Sequence, residues 1–451
     1  MSRVPFSADA VLALSPDDSS SKAARGLVAS GKWPMLGASD NAVWGECQGS
    51  GSKPYQTQVD LSGAGPTFRC SCPSRKFPCK HGLALLLLQA QTPATFTAPE
   101  PAWVGEWLAS RKERAEKKEV RASAAPAPAD PAAAAKREDK RFERMAAGAR
   151  ELALWLDDLG RKGLAALAGQ PGNATGIAAR MVDAQAPGLA QRLTQAMALV
   201  GEGTDWPARL LARLGNLQLL VDAAQQRERL TPALQADLRQ ALGWPLEREE
   251  VLAAGPAVSD SWQVIAQVMV EREARLTERR VWLIGRQSAR RALLVDFSYA
   301  GKAFEHGWMV GQKSLCALAF YPGADPLRAM LAQTVDDMPD GGDTAFSPVP
   351  GWDDEWSALA ERMAANPWAE RWPLLLGNAQ LLRHADGWAL LCGERQLGLR
   401  LSDADGWELL AFAGGQAVEL FGEWEGAALR PLSAWVRGGS DCWRCAAETT
   451  S

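Results

Sequence analysis

The chain has 451 residues, 47% of them apolar and 23% charged, a globular balance that excludes a disordered protein and allows roughly two to four folded domains. The net charge of −4 is unevenly spread: residues 1–145 hold 20 Lys and Arg against 15 Asp and Glu, a net of +5, and the remainder holds 29 against 38, a net of −9. A mildly basic head on an acidic body excludes a protein that coats nucleic acid along its whole length.

Residues 1–95 read as a first unit. Ser7 to Gly31 is helix-like, and Trp44 to Leu61 is extended, with Tyr55, Thr57, Val59 and Leu61 alternating against Gln56, Gln58 and Asp60 as in a half-buried strand. Ser62 to Pro66 supplies a turn, and Thr67 to Cys72 returns as a second strand. Leu83 to Gln91 predicts a short helix, apolar almost all round and therefore buried.

Residues 96–139 read as a linker. A charged helix spans Trp103 to Arg121, where Glu113, Glu116 and Glu119 interleave the basic residues as on a solvated face. The Ala/Pro-rich stretch from Ala122 to Ala135 has little to bury and is expected to be mobile. Residues 140–245 predict a helical domain: Leu152, Trp155, Leu156 and Leu159 recur at helical spacing, and the periodicity continues through Ala178–Val200, Pro207–Ala224 and Thr231–Leu242.

Residues 246–451 change texture. Gln263–Val270, Val281–Gly285, Ala292–Ser298 and Leu315–Tyr321 are short apolar runs between charged or Gly-containing breaks, which predicts a β-meander, with one helix at Asp353–Ala365. The segment Ala385-Asp-Gly-Trp-Ala-Leu-Leu recurs nineteen residues later as Ala404-Asp-Gly-Trp-Glu-Leu-Leu. Asp-Gly is a hairpin signal, so Trp388 and Trp407 are each expected to begin a strand. Two copies hint at a propeller but are too few to define one, and a plain antiparallel sheet is expected. The fold class is thus multidomain α+β: a small β-hairpin and helix module, a mobile linker, a helical domain and a Trp-rich antiparallel β domain.

Chemistry concentrates in one place. Cys70-Ser-Cys72 is followed, six residues later, by Cys79-Lys-His81. Side chains two apart on a strand share a face, so Cys70 and Cys72 can hold one ion together from a strand end. Residues two apart on a helix diverge by about 200°, so Cys79 and His81 are expected on the turn that enters the helix. Three thiolates and an imidazole complete a tetrahedron and leave no position for water or substrate, which describes a structural Zn²⁺ site. Three thiolates on Zn²⁺ leave one negative charge, and Arg69, Arg75, Lys76 and Lys80 surround the motif while residues 61–90 contain no Asp or Glu. Nearby cations favour the thiolate and hence the metal. The eight cysteines are otherwise too sparse for a disulfide framework.

These four positions, with a strand before the first pair and a helix after the last, resemble the SWIM-type zinc finger over about residues 40–90. The spacer of six residues is at the short end for that family. The layout of the whole chain resembles bacterial SWIM-domain proteins, whose genes tend to accompany those of MoxR-type AAA ATPases and von Willebrand A-type proteins. The resemblance implies a partner rather than a mechanism.

Other chemistry is sparse. His306 and His384 are isolated, and no phosphate-binding loop, His-Glu-x-x-His or Gly-x-Ser-x-Gly motif occurs. Cys442 and Cys445 have metal or dithiol spacing but lack a second pair nearby, and Cys47 reads as a small buried hydrophobe, with a substitute zinc ligand as the alternative. The nineteen tryptophans are spaced singly along amphipathic segments, as core residues are. The expectation is a non-enzymatic interaction protein with no small-molecule substrate, whose finger contacts a protein or, through Arg69, Arg75, Lys76 and Lys80 with Phe77 available to stack, DNA or RNA. The alternative is an enzyme with its site in residues 246–451, targeted by the finger. No run of about 18 uncharged apolar residues occurs, and Asp9 and Asp17 interrupt the N-terminal stretch, so a cytoplasmic location without membrane contact is expected.

Overall fold

Alternation along the second strand of the N-terminal unit explains how that unit is built. The computed structural model describes residues 8–12, 14–15, 18–49, 53–62, 66–74, 76–123, 131–168, 173–272, 276–299, 304–334, 349–385, 387–437 and 441–445. Two short helices, α1 (Ala8–Leu12) and α2 (Asp18–Arg25), precede an antiparallel meander of β1 (Met35–Ala38), β2 (Ala42–Cys47), β3 (Tyr55–Asp60) and β4 (Thr67–Cys70). Helix α3 (Lys80–Gln91) packs on one face, where Val43 and Cys47 of β2 join Leu83 to Leu88 in a single core. Ala42 and Trp44 point the other way and bury Val104 of α4 (Ala102–Ser123). Arg111 of α4 donates from Nε to Asp60 Oδ2 at 2.7 Å. The charged helix expected in the linker is therefore packed on the finger sheet through its first turns, because its Val104 and Trp107 are buried.

Helix α5 (Pro131–Lys162) begins inside the Ala/Pro-rich stretch, so residues 131–135 are helical; residues 124–130, part of the expected mobile segment, lie outside the described residues. Alanine's high helix propensity, with Pro131 at the first position, accounts for that start. Helices α6 (Ala165–Ala168), α7 (Asn173–Asp183), α8 (Pro187–Met197), α9 (Trp206–Gln225), α10 (Pro232–Ala241) and α11 (Arg248–Ala253) follow. Met145, Leu152, Met181, Leu189, Leu193, Leu220 and Leu238 form the core of a helical bundle.

The predicted meander holds for three strands only. Strands β5 (Val258–Glu271), β6 (Leu276–Gly285) and β7 (Arg291–Tyr299) pair in sequence, but β9 (Arg328–Thr334) inserts between β7 and β8 (Lys313–Phe320), and β8 closes on β5. The result is a closed five-stranded barrel in which β7 and β9 run parallel. Closure removes the free edges that a meander would leave.

Helix α12 (Trp352–Ala365) leads into a six-stranded sheet of β10 (Trp372–His384), β11 (Gly387–Cys392), β12 (Arg395–Leu399), β13 (Val418–Trp424), β14 (Leu429–Val436) and β15 (Cys442–Arg444), in the order β12-β11-β10-β13-β14-β15. Trp388 lies on β11 as expected. Trp407 does not begin a strand; it lies on α13 (Asp403–Ala413). Ser402 caps that helix by accepting from Asp405 N at 3.1 Å, so N-capping overrides the Asp-Gly turn signal. The two echoed tryptophans instead pack edge to face, with centroids 5.1 Å apart.

Buried polar contacts join these units. Glu423 of β13 accepts from Arg280 at 3.1 Å and from Trp282 Nε1 at 2.9 Å, both from the barrel. Arg291 of the barrel meets Glu355 of α12 through two hydrogen bonds of 2.5 and 2.6 Å. The helical bundle reaches the β8–β9 connection through Asp237, which accepts from Ala324 N at 2.7 Å. Among the described residues no helix is long and apolar enough to cross a membrane.

Candidate metal centre

The four predicted ligands meet. The ligand atoms of Cys70, Cys72, Cys79 and His81 all lie within 4.8 Å of one another, and theirs is the metal-competent group found among the described residues. In a tetrahedral site with Zn–S of about 2.3 Å, two sulfurs sit about 3.8 Å apart, so one ion fits with small side-chain adjustments. The donor set suits Zn²⁺: three soft thiolates and an imidazole.

Each ligand is placed by its local backbone. Cys70 ends β4, where the strand is registered opposite Thr57 of β3, and Cys72 follows two residues on. Cys79 is the N-cap of α3, with extended dihedrals of φ −75° and ψ 163°. That conformation aims its side chain away from the helical path, so Cys79 and His81 converge although regular helix would separate them. His81 stands in the first turn, its Nδ1 3.8 Å from Cys70 Sγ, and its ring lies against Tyr55 with centroids 4.9 Å apart. Gly82 follows because α3 crosses β4 so closely that a Cβ there would lie 2.8 Å from the Phe68 ring.

The Cys72 sulfur is held far below the usual thiol range by hydrogen bonds from Cys70 and Cys79, while Cys70, hydrogen-bonded to Cys72 and Cys79 on the protonated side, is held far above it. Burial pulls His81 down, but hydrogen bonds to Cys72 and Cys79 and their charge outweigh it and push the imidazolium up to about 9. Cys70, Cys72, Cys79 and His81 would give up the protons they hold when zinc binds. Cys79 and His81 are buried and the other two ligands half-buried; with one donor atom each they would complete a tetrahedral sphere, and a zinc ion held there would serve as a fold element.

The predicted basic ring is placed in part. Arg69 on β4 and Lys80 at the start of α3 are exposed, as is Lys76, whose Nζ donates to Ser19 Oγ at 2.9 Å. Arg75 lies outside the described residues. Phe77, expected to be free for stacking, packs edge to face on Phe68 at 6.1 Å against the module's core. Cys47 is fully buried in that core, and burial raises its thiol.

Thr57, Tyr55 and Gly82 belong to the site beside the four residues of the ligand motif. Thr57 is fully buried, with Oγ1 3.2 Å from Cys70 Sγ. Its place on the alternating face of a strand paired with the Cys-x-Cys strand was the available signal. Elsewhere, burial pushes the Cys392 and Cys442 thiols up to about 11, which disfavours their thiolate forms. His384 is exposed and faces the Gln396 side chain at 2.8 Å, and the backbone carbonyl of His306 accepts from Arg279.

Comparison with known families agrees with this geometry. The family model of the SWIM zinc finger matches residues 55–89, and that of the SWIM-associated four-helix bundle domain matches residues 140–242. No curated protein and no solved structure matches the chain.

Proposed function

We propose that this chain is an interaction protein whose zinc-built finger holds a macromolecular partner, and that the partner is a protein. The observation that carries this reading is the closed ligand set: four protein atoms within 4.8 Å of one another leave the ion nothing to activate. Zinc then contributes by holding the end of β4 and the start of α3 together, which shapes a surface. The position of Phe77 favours protein over nucleic acid, because the aromatic ring nearest the cations is packed on Phe68 and bases need a free face to stack on.

Among proteins, the resemblance to bacterial SWIM-domain proteins makes a MoxR-type AAA ATPase the first partner to try. The test is a titration of the zinc-loaded full chain with that ATPase, beside a Cys72→Ser chain. Saturable binding by the first and loss by the second is the expected result; equal binding by both removes the finger from the interface, and binding by neither removes the ATPase.

Nucleic acid is the second reading, favoured by the exposed Arg69, Lys76 and Lys80 on a head with a net charge of +5. Binding of single- and double-stranded DNA at two salt concentrations tests it. Affinity that falls steeply with salt supports phosphate contact; absence of binding at low salt, or a flat salt response, overturns it.

A further inference from the structure

Three consecutive residues in the connection between β7 and β8 are divided between two cores. Trp308 and Val310 are buried in the core of the barrel, at 2% and 9% exposure. Met309 between them is 3% exposed and belongs to the core of the zinc module, in the same cluster as Phe68, Leu83 and Cys47. Helix α3, which carries His81, supplies six of the leucine and alanine side chains in that cluster, Leu83 to Leu88.

The barrel holds this methionine firmly. Residues 309–312 form a turn closed by Gln312 N donating to Met309 O at 3.0 Å, and the Gln312 side chain accepts from Met309 N at 3.2 Å. Gly311 has φ +92°, the left-handed region that a type II turn requires at its third position. Two backbone hydrogen bonds fasten the turn to β5: Gly311 N donates to Val264 O at 2.8 Å and Val264 N donates to Gln312 O at 2.9 Å. The side chain is thus presented to the finger by a backbone that the barrel has already ordered.

We propose that the finger and the barrel form one thermodynamic unit coupled through Met309, so that zinc occupancy of the finger is transmitted to the barrel. Zinc orders α3 and the core that receives Met309. When zinc leaves, that core loosens, Met309 loses its surroundings, and the turn of residues 309–312 opens. Linkage is reciprocal, so a docked Met309 must strengthen zinc binding by the same factor by which zinc strengthens docking. The coupling does not depend on the identity of the partner and stands or falls separately from the proposed function.

The experiment is hydrogen exchange on the full chain, zinc-loaded and after removal of zinc by a chelator, together with zinc affinity measured by chelator competition. In the wild-type chain, zinc removal is expected to lower amide protection at residues 309–312 and Val264 as well as in the finger. Met309→Ala is expected to weaken zinc binding on the order of tenfold, since it opens a cavity in the core that α3 shares. Met309→Leu, which conserves volume, is expected to restore both properties. Unchanged protection at residues 309–312 after zinc removal, with the finger itself deprotected, overturns the proposal. So does a Met309→Ala chain that folds and keeps wild-type zinc affinity. If that variant does not fold, the wild-type exchange measurement decides alone.

Discussion

Thr57 Oγ1 lies 3.2 Å from Cys70 Sγ, across the β3–β4 pair and fully buried. Once Cys70 is a thiolate it can only accept, so the hydroxyl donates to it and stabilises the charged, metal-binding form. Thr57→Val keeps the shape and removes the donor. Zinc affinity measured by chelator competition is expected to fall about tenfold to a hundredfold, the range found for lost outer-shell hydrogen bonds. Thr57→Ser should restore most of it. Unchanged affinity in the valine variant would show that Thr57 serves packing alone.

Metal analysis of the purified chain should give about one zinc per molecule. Cys72→Ser and His81→Ala should each lose it, and circular dichroism with limited proteolysis should show the finger disordered. The helical bundle should persist, because Met145, Leu152, Leu193 and Leu220 bury one another without contribution from the finger core. Stoichiometric zinc retained in both variants would contradict the ligand assignment. Acid should also release zinc, since protons compete for three sulfurs and an imidazole.

Glu355 is 2% exposed and answers Arg291, 6% exposed, through both carboxylate oxygens; it also accepts from Leu375 N at 2.9 Å. Glu355→Ala leaves a buried guanidinium without its counter-charge and is expected to cost about 3–5 kcal/mol in the stability of the β-rich half. Denaturant unfolding followed by tryptophan fluorescence measures it. Glu355→Gln, which keeps an acceptor for the Leu375 amide, should cost less. Equal losses would place the effect in packing.

Asp237 joins α10 to the β8–β9 connection and to Asn366, whose Nδ2 donates to it at 3.0 Å. Burial raises its carboxyl to about 6, against the lowering effect of the Ala324 amide, and the nearby Asp325 adds to the rise. The folded chain therefore holds this proton more tightly than the unfolded chain. The neutral carboxyl's contribution is complete below about pH 4 and is lost as pH rises through about 6. Relative to Asp237→Asn, the wild-type chain should lose stability between pH 4 and pH 7, by about 1 kcal/mol once screening by nearby water is allowed for. Parallel pH–stability curves for the two chains would refute this.

Much of the centre was legible because its information is local. The Cys-x-Cys and Cys-x-His pairs each sit within three residues, and their strand and helix follow from short-range periodicity. Alternation places Thr57 on one face of its strand but does not state that it will face Cys70; register decides that. The Asp405-Gly406 turn signal failed for a related reason: Ser402 offered a helix cap that the dipeptide pattern does not weigh. The charged helix α4 read as solvent-facing because its last turns are rich in charge, while Val104 and Trp107 near its start find the back of the finger sheet.

Zinc, the four side chains that hold it, and the succession of a helical domain and a β-rich region are all written in short-range residue order. Tertiary structure alone decided that β9 would insert between β7 and β8, that Arg291 would face Glu355, and that Met309 would leave its own barrel to fill the zinc module's core. Ligand spacing and helical periodicity act over a few residues, so they are written in composition and order. Strand order, buried charge pairs and shared cores join residues tens to hundreds of positions apart, and only the packed chain sets which of the many apolar and charged side chains meet.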